Sequence, residues 1–400
     1  MDDADGLPKV AHLRGVVAIA AFGTVSRAAR EVALSQPALT QGLARVEALA
    51  GVALFTRAQR GLVLTDPGRA FIVRTRRGLD LLARGAQSAG RANLDRIASI
   101  SQYRALIAVV ETGGFRPAAT TLGREASTIG RACRTLERVA GVPLFEQTSA
   151  GLRPTRQADA LARHSKLAMA EFRQALDDAS GWRGRVVGRL AIGCLPLAQA
   201  SIVPAALTRF AADFPAVAPK VVDGTYASLA RALLRGDIDV IVGALRADDL
   251  PDGLVQTELF SAPLSVVADP HHPLANLGAV SAEMLAQYPW IAPRAGAPAR
   301  AYFETMHRSL AVPDHVPRPI ETGAHSVMIG LLHGSDRLTI ISDMQVEREL
   351  STGALSRVGP PLPHSLRPIG TTVRADFLPS APHLRFLEIL RDEARGPKRG

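Results

Sequence analysis

"LSQPALTQGLARVE" (residues 34–47) reads as the opening of a helix that shows one particular face. Ser35 suits an N-cap, since its hydroxyl can accept a hydrogen bond from a free backbone N–H of the first turn. Pro37 falls in that first turn, where a missing N–H costs least. Leu39, Leu43 and Val46 follow at helical spacing and form one apolar stripe. Gln36, Thr40, Gln41 and Arg45 lie off that stripe. Ninety residues later the chain writes "REASTIGRACRTLE" (residues 124–137). There the stripe persists as Ile129, Cys133 and Leu136, and the polar face changes.

Residues 12–75 align on residues 102–165 without a gap. Arg14 falls on Arg104, Gly23 on Gly113, Ala28-Ala29 on Ala118-Ala119, Glu47 on Glu137, Leu54-Phe55 on Leu144-Phe145 and Thr65 on Thr155. A run of this kind marks two copies of one module. Each copy parses alike. A first helix spans about 12–22, with Leu13, Val16, Val17 and Ala20 inward, and Gly23 ends it. A short helix, "SRAAREVA", follows, and a tight turn leads into the opening stretch. "GVALFTRAQRGLVLT" then gives two short apolar runs around a polar turn, a β-hairpin signal. Helix, helix, turn, helix and hairpin make a winged helix-turn-helix. Asp66 to Gly90 continues as a longer amphipathic helix, Arg156 to Ala179 is its second copy, and such helices often mediate dimerisation.

Charge separates the two halves of the 400-residue chain. Residues 1–187 carry 27 Lys+Arg against 16 Asp+Glu, and residues 188–400 carry 20 against 21. The net charge of +10 therefore resides in the first half. That asymmetry suits a polyanion-binding module joined to something else, and equally a soluble Arg-rich surface. An apolar fraction of 47% is ample for packed cores. No apolar run approaches the roughly 18 residues of a membrane helix. Met1 precedes three acids rather than a basic and apolar leader, so a cytoplasmic protein is expected. Cys133 and Cys194 are the only cysteines, which fits a reducing compartment and offers no disulfide framework.

The stretch from Gly23 to Gly68 closely resembles the DNA-binding domain of LysR-type transcriptional regulators. The family pattern is a Gly, a helix containing Ala-Ala, then Ser-Gln-(Pro/Ser)-Ala-hydrophobic-Ser, a Glu, "LG(V/A)xLF" and a "GxxLT" wing. The resemblance extends over essentially the whole chain, although the family normally carries one such module. It implies double-stranded promoter DNA and a small-molecule effector as partners, a homodimer or homotetramer, and RNA polymerase as a further contact. No cofactor, metal or membrane partner is implied.

A recognition helix offers its first turns to base edges, while its N-terminus and the wing meet phosphates. In copy one, Gln36 and Gln41 suit adenine edges, and Pro37 and Thr40 suit thymine methyl groups. Ser35 and Arg45 complete the expected face, and Arg57 occupies the family's wing position. In copy two, Ser35 becomes Glu125, Gln36 becomes Ala126, Pro37 becomes Ser127, Thr40 becomes Gly130 and Arg57 becomes Gln147. Gln41 becomes Arg131 and Ala44 becomes Arg134. Two readings stay open. Either copy two holds DNA through Ser127, Arg131 and Arg134, or it is a decayed module kept for dimer geometry.

From Gly188 onward strands alternate with helices, which argues for a parallel sheet. "GRLAIG", "FPAV", "LLRGDIDVIVG" and "HHPLA" resemble the family's effector-binding domain, which has the type 2 periplasmic binding protein fold. The expected fold class is thus multidomain: two winged helix-turn-helix domains followed by a two-lobed α/β effector domain. The boundaries expected are 8–66 for the first winged helix, 67–97 for a linker helix, 98–156 for the second winged helix and 157–184 for its linker helix. The effector domain would span 188–396, with lobe one at 188–267 and 370–395 and lobe two at 268–369. In such folds ligands lie at the carboxyl ends of strands and against helix N-termini. That rule selects Leu197, Ala198 and Gln199, then Thr225, Ala244 and Arg246, then Pro293, Arg294 and Ser326. The arginines suit an organic acid or a sugar-related ligand.

Cys194 reads as a small buried thiol, because redox sensing needs a second nearby thiol or an activated thiolate. His271-His272 reads as a turn landmark and not a metal pair. The chain carries no phosphate loop, nucleophile elbow or zinc motif. A transcription regulator is therefore expected. The competing readings are a ligand-binding protein or enzyme on a periplasmic-binding-like fold, and a DNA binder that takes no ligand.

Overall fold

The computed structural model describes residues 6–59, 61–149, 151–182, 188–246, 249–275 and 277–395. The ends of two expected segments, 183–184 of the second linker and 396 of the effector domain, lie outside the described residues. The chain divides into two compact units. One runs from Met1 to Arg189 and the other from Leu190 onward, apart from short segments at 216–218 and 380–382 that group with the first.

The first unit opens with α1 (Val10–Phe22), α2 (Val25–Glu31) and α3 (Gln36–Ala50), then the hairpin β1 (Phe55–Ala58) and β2 (Gly61–Leu64). The second copy repeats this as α6 (Ile100–Thr112), α7 (Phe115–Leu122), α8 (Ala126–Ala140), β3 (Phe145–Thr148) and β4 (Gly151–Pro154). Between and after them run α4 (Asp66–Ser88), the short α5 (Leu94–Ile97) and α9 (Arg156–Gly181).

The residues common to both copies are those that lock the wing. Glu47 accepts the N–H groups of Leu54 (2.7 Å) and Phe55 (3.3 Å). Glu137 accepts those of Leu144 (2.9 Å) and Phe145 (3.2 Å). A carboxylate at this point satisfies two donors where the strand begins. Thr65 caps α4 through Gly68 N–H and donates to the Ala53 carbonyl. Thr155 does the same for α9 through Ala158 N–H and the Pro143 carbonyl. The stripes Leu39/Leu43/Val46 and Ile129/Cys133/Leu136 are buried, as the sequence predicts.

The first linker is not one helix over 67–97. It breaks at Gly90, whose φ of +75° favours glycine. There Gly90 N–H bonds the Gln87 carbonyl and Arg91 N–H bonds the Ala86 carbonyl, a Schellman-type stop. Beyond it α5 places Asp95 against Arg14 of α1 in a largely buried ion pair.

The second unit has two five-stranded sheets. Its elements in order are β5 (Gly188–Cys194), α10 (Pro196–Ala200), α11 (Ile202–Asp213), β6 (Val217–Asp223), α12 (Tyr226–Arg235), β7 (Val240–Ala244), β8 (Leu254–Ala262), β9 (Ser265–Ala268), α13 (Ala282–Ala286) and β10 (Trp290–Pro293). Then come α14 (Pro298–Ser309), β11 (Ile320–Thr322), α15 (His325–Leu332), β12 (Leu338–Ile341), α16 (Glu347–Ser351), β13 (Ser356–Val358), β14 (Arg367–Arg374) and α17 (Ala381–Ala394). The strand orders are β6–β5–β7–β14–β8 and β11–β10–β12–β9–β13.

The expected parallel sheet is corrected here: both sheets are mixed. β5 and β7 run parallel, but β14 returns antiparallel to β7 and β8. In the other sheet β9 runs antiparallel to β12 and β13. The expected lobe boundaries also shift. β9 belongs to the second sheet, so the chain crosses at 263–264 and not after 267, and β14 brings the first sheet's share forward to Arg367. The reason is topological. The chain passes from the first sheet to the second in the two residues between β8 and β9 and returns between β13 and β14, with no helix at either crossing, so strand–helix alternation in the sequence does not mark those steps.

Candidate functional site

Two places carry the residues singled out by the sequence, one in each unit. In the first unit, Ser35 caps α3, its Oγ accepting Ala38 N–H at 3.3 Å. Gln36, Pro37, Thr40, Gln41 and Arg45 are all exposed, and so is Arg57 on β1. Ser26 of α2 donates to Gln36 Oε1 at 3.2 Å, which holds the amide and leaves its N–H groups facing outward. The Thr40 hydroxyl donates to the Gln36 carbonyl at 3.0 Å, so its methyl is the group presented. The face therefore offers amide donors and a methyl on a helix with a pinned N-terminus.

In copy two, Ser127, Arg131 and Arg134 are exposed on α8. Glu125 stands at the N-cap but makes no side-chain cap bond. Arg131 reaches back to Thr128 Oγ1 at 3.4 Å. The Arg134 guanidinium lies across Gly130, 3.7 Å from where a Cβ would stand.

In the second unit a cavity of about 130 Å³ opens between the sheets, room for on the order of ten heavy atoms. Leu195, Leu197, Ala244, Arg246 and Arg367 line it from the first sheet's side, and Ile291, Pro293, Arg294, Thr322 and His325 from the other. Of the expected effector residues, Leu197, Ala244, Arg246, Pro293 and Arg294 are brought together there. The others serve elsewhere. Ala198 is fully buried in the core. Gln199 Nε2 donates to the Cys194 carbonyl at 3.0 Å. Thr225 caps α12 by accepting Ser228 N–H at 3.1 Å. Ser326 is exposed on the first turn of α15, whereas its neighbour His325 lines the cavity.

Arg367 is the main residue that sequence reasoning missed. It opens β14 opposite Ala262. Its Nε and Nη2 are buried and have no hydrogen-bond partner. Burial, then the nearby Arg246, pushes its guanidinium down to about 10, so it stays cationic at neutral pH. Burial also lowers Arg246, and Arg294 adds repulsion, while Tyr226 and Asp249 oppose that shift. Arg246 stacks 4.8 Å over the Tyr226 ring. The arginines also cross the cavity: Arg246 donates to the Gly296 carbonyl (3.3 Å) and Arg294 to the Gly224 carbonyl (3.4 Å). No carboxylate lines the cavity among the described residues.

Both thiols are buried, and burial pushes Cys133 and Cys194 up to about 12, with Glu137 and Asp223 adding to the shift. Such thiols are poor nucleophiles. His271 sits in the expected turn, its backbone N–H bonded to Asp269 Oδ1 at 2.9 Å. Among the described residues no group of three metal-ligating side chains converges. No described helix is long and apolar enough to cross a membrane.

Known families match both units. Residues 183–395 match the LysR substrate binding domain. Residues 10–69 and 100–159 each match the bacterial regulatory helix-turn-helix protein, lysR family. The HTH-type transcriptional regulator GalR of Pseudomonas putida is 31% identical over 388 residues, 96% of this chain and 97% of that protein. The regulator PcaQ of Agrobacterium fabrum is 30% identical over 266 residues, 66% of this chain and 85% of that one. Among solved structures, the fold matches a full-length OxyR variant from Pseudomonas aeruginosa with TM-score 0.52 at 18% identity, covering 74% of this chain and 94% of that one. It matches the LysR family regulator CbnR with TM-score 0.51 at 19% identity, covering 74% and 99%.

Proposed function

The chain belongs to the LysR family of DNA-binding transcriptional regulators with an effector-binding domain, and we propose that it controls a promoter in response to a small organic anion. The α3 face built from Ser35, Gln36, Thr40, Gln41 and Arg45, with Arg57 in the wing, reads one operator half-site. Arg246, Arg294 and Arg367 hold the anion. It acts in the cytoplasm, where it meets promoter DNA and RNA polymerase, and it senses its ligand without transforming it.

The observation that carries the effector class is the guanidinium cluster. Arg246, Arg294 and Arg367 share a cavity, repulsion from Arg294 lowers Arg246 and repulsion from Arg246 lowers Arg367, and Arg367 keeps two buried N–H groups unsatisfied. Buried cations are normally paired. A carboxylate entering the cavity would meet charge-assisted bonds there, stronger than the long bonds to neutral carbonyls that Arg246 and Arg294 now make. Exchanging those cross-cavity bonds for a shared anion gives the effector a means of changing how the two sheets are held.

The test is a thermal-shift panel of benzoate, succinate, sulfate and uncharged amide analogues, followed by footprinting on the DNA upstream of the gene. Stabilisation by a carboxylate but not its amide, together with an altered footprint, supports the reading. Equal response to amide and acid, or none, would sink it.

A further inference from the structure

We infer that α4 and α9 form a dimer interface folded within one chain, and that α8 is consequently a second DNA-contacting face, so that a single chain engages two unequal half-sites. The second clause rests on the reading of α3 given above. α4 and α9 make the most extensive contact between any two elements. Gly78 lies under the Phe172 ring, where a Cβ would stand 2.4 Å from a ring carbon, and Gly85 faces Leu161 and His164. Numbers rise along α4 as they fall along α9, so the pair is antiparallel.

Removing the 90-residue offset exposes a symmetry. Phe172 is the copy-two counterpart of Leu82, and Ala168 that of Gly78. The Gly78–Phe172 meeting therefore has a mirror pair, Leu82 with Ala168. Likewise Gly85 with Leu161 has the mirror pair Phe71 with Ala175. All four mirror residues are buried in the same core cluster. Each pair sets a small residue against a large one. An antiparallel contact that maps onto itself when the copies are exchanged is the arrangement of a two-fold dimer. It relates α3 to α8, and operators mirror such two-folds as paired half-sites.

Charge explains why α4 takes α9 and not the α4 of another chain. Arg74 is 4% exposed and pairs with Glu171 (3.2 Å) and with Asp178. Arg77 shares Glu171 at 2.9 Å. The copy-one counterparts of Glu171 and Asp178 are Leu81 and Ser88. A pairing of two α4 helices in this geometry would bury Arg74 with no counter-charge, which disfavours that partner.

The α8 face has not shed its charge. Residues 24–58 carry Arg27, Arg30, Arg45 and Arg57 against two Glu, and residues 114–148 carry Arg116, Arg124, Arg131, Arg134 and Arg138 against three. The balance is the same, yet no arginine of copy two occupies an arginine position of copy one. The cations have moved onto the helix and its approach, where Arg124, Arg131, Arg134 and Arg138 are all exposed. With Gly130 and Ala126 in place of Thr40 and Gln36, this face suits phosphates better than base edges.

Two measurements on the full chain test the inference. The first uses Arg77→Cys with Glu171→Cys and a short bismaleimide; Cys133 and Cys194, buried and raised, stay silent. A monomer-sized product on a denaturing gel is expected. A dimer-sized product, or no product, overturns the intrachain interface. Gly85→Cys with His164→Cys, joined by oxidation, repeats the test at the other end of the pair.

The second is a hydroxyl-radical footprint on a duplex selected from a random-sequence pool by the wild-type protein. Two protected patches about 10 bp apart are expected. Arg131→Ala with Arg134→Ala should lose one patch and lower the salt slope by about 2. An unchanged footprint and slope overturn the role of α8. Gln36→Ala with Gln41→Ala separates the cases, because if that variant binds like wild type it is the reading of α3 that fails.

Discussion

Replacing Arg367 by Met should stabilise the unliganded protein and abolish its response to the anion. Lowering this guanidinium to about 10 corresponds to about 3 kcal/mol of unfavourable burial and repulsion from Arg246, at ~1.4 kcal/mol per pH unit. Methionine keeps much of the apolar stem but loses some contacts, leaving a gain of about 1–3 kcal/mol. For a unit of this size that is roughly 2–10 °C in the melting transition of the α/β unit. The ligand arm has the opposite sign. Removing a charge-assisted bond costs about 1.5–3 kcal/mol, or about 10- to 150-fold in Kd. Differential scanning fluorimetry reads both effects, with and without the stabilising carboxylate. A variant that melts lower than wild type would show that Arg367 is satisfied in solution. A variant protected as well as wild type would show that the anion binds elsewhere. Either result refutes the reasoning.

Three further outcomes are expected. Gln36→Ala should weaken operator binding by about 1–3 kcal/mol, the usual value of a bidentate base contact, with no change in melting temperature; gel-shift titration checks it. Glu137→Ala strands the N–H groups of Leu144 and Phe145, so the first unit should lose about 1–3 kcal/mol in urea unfolding, and Glu47→Ala about as much. Burial lowers His272, whose Nδ1 accepts Leu274 N–H at 3.0 Å and whose Nε2 faces the Asp336 carbonyl. The neutral ring is thus the folded form, and its stabilisation, complete above pH 6.5, should fade as pH drops below that value. His307 is lowered in the same sense, so only part of the slope of melting temperature between pH 7 and 5 should vanish in His272→Asn.

The sequence carried the first unit almost entirely, because its signals are local. A cap, a stripe, a glycine stop and a hairpin are each set by neighbours a few residues apart, and the second copy repeats them in register. The repeated Glu47 and Glu137 were legible as a repeat before their task was visible, since pinning a wing across seven residues is a tertiary act. In the second unit the local signals thin out. β8 (Leu254–Ala262) was not anticipated, because an edge strand with polar residues at Gln256, Thr257 and Glu258 reads as loop. The cavity was half legible. The rule that ligands meet strand ends found Ala244, Arg246, Pro293 and Arg294, each at the end of its strand. It failed for Thr225, whose hydroxyl is consumed in capping α12, and for Arg367, which sits at the start of a strand.

Arg367 also shows why the missing part matters. In sequence it is one arginine among many, in a stretch "RPIGTTVR" that reads as an ordinary strand. It reaches the cavity only because β14 returns from the second sheet to pair antiparallel between β7 and β8, which sets the start of β14 beside the carboxyl end of β7. Antiparallel insertion reverses which end of a strand faces the cavity, so the strand-end rule for parallel sheets selects the wrong end of β14. The same reversal explains why Arg367 joins Arg246 and Arg294 although the three lie on segments about fifty and seventy residues apart. Three half-buried like charges that share a cavity with no carboxylate in its lining, among the described residues, are held together by topology, and on the function proposed above an anion would complete the electrostatic balance.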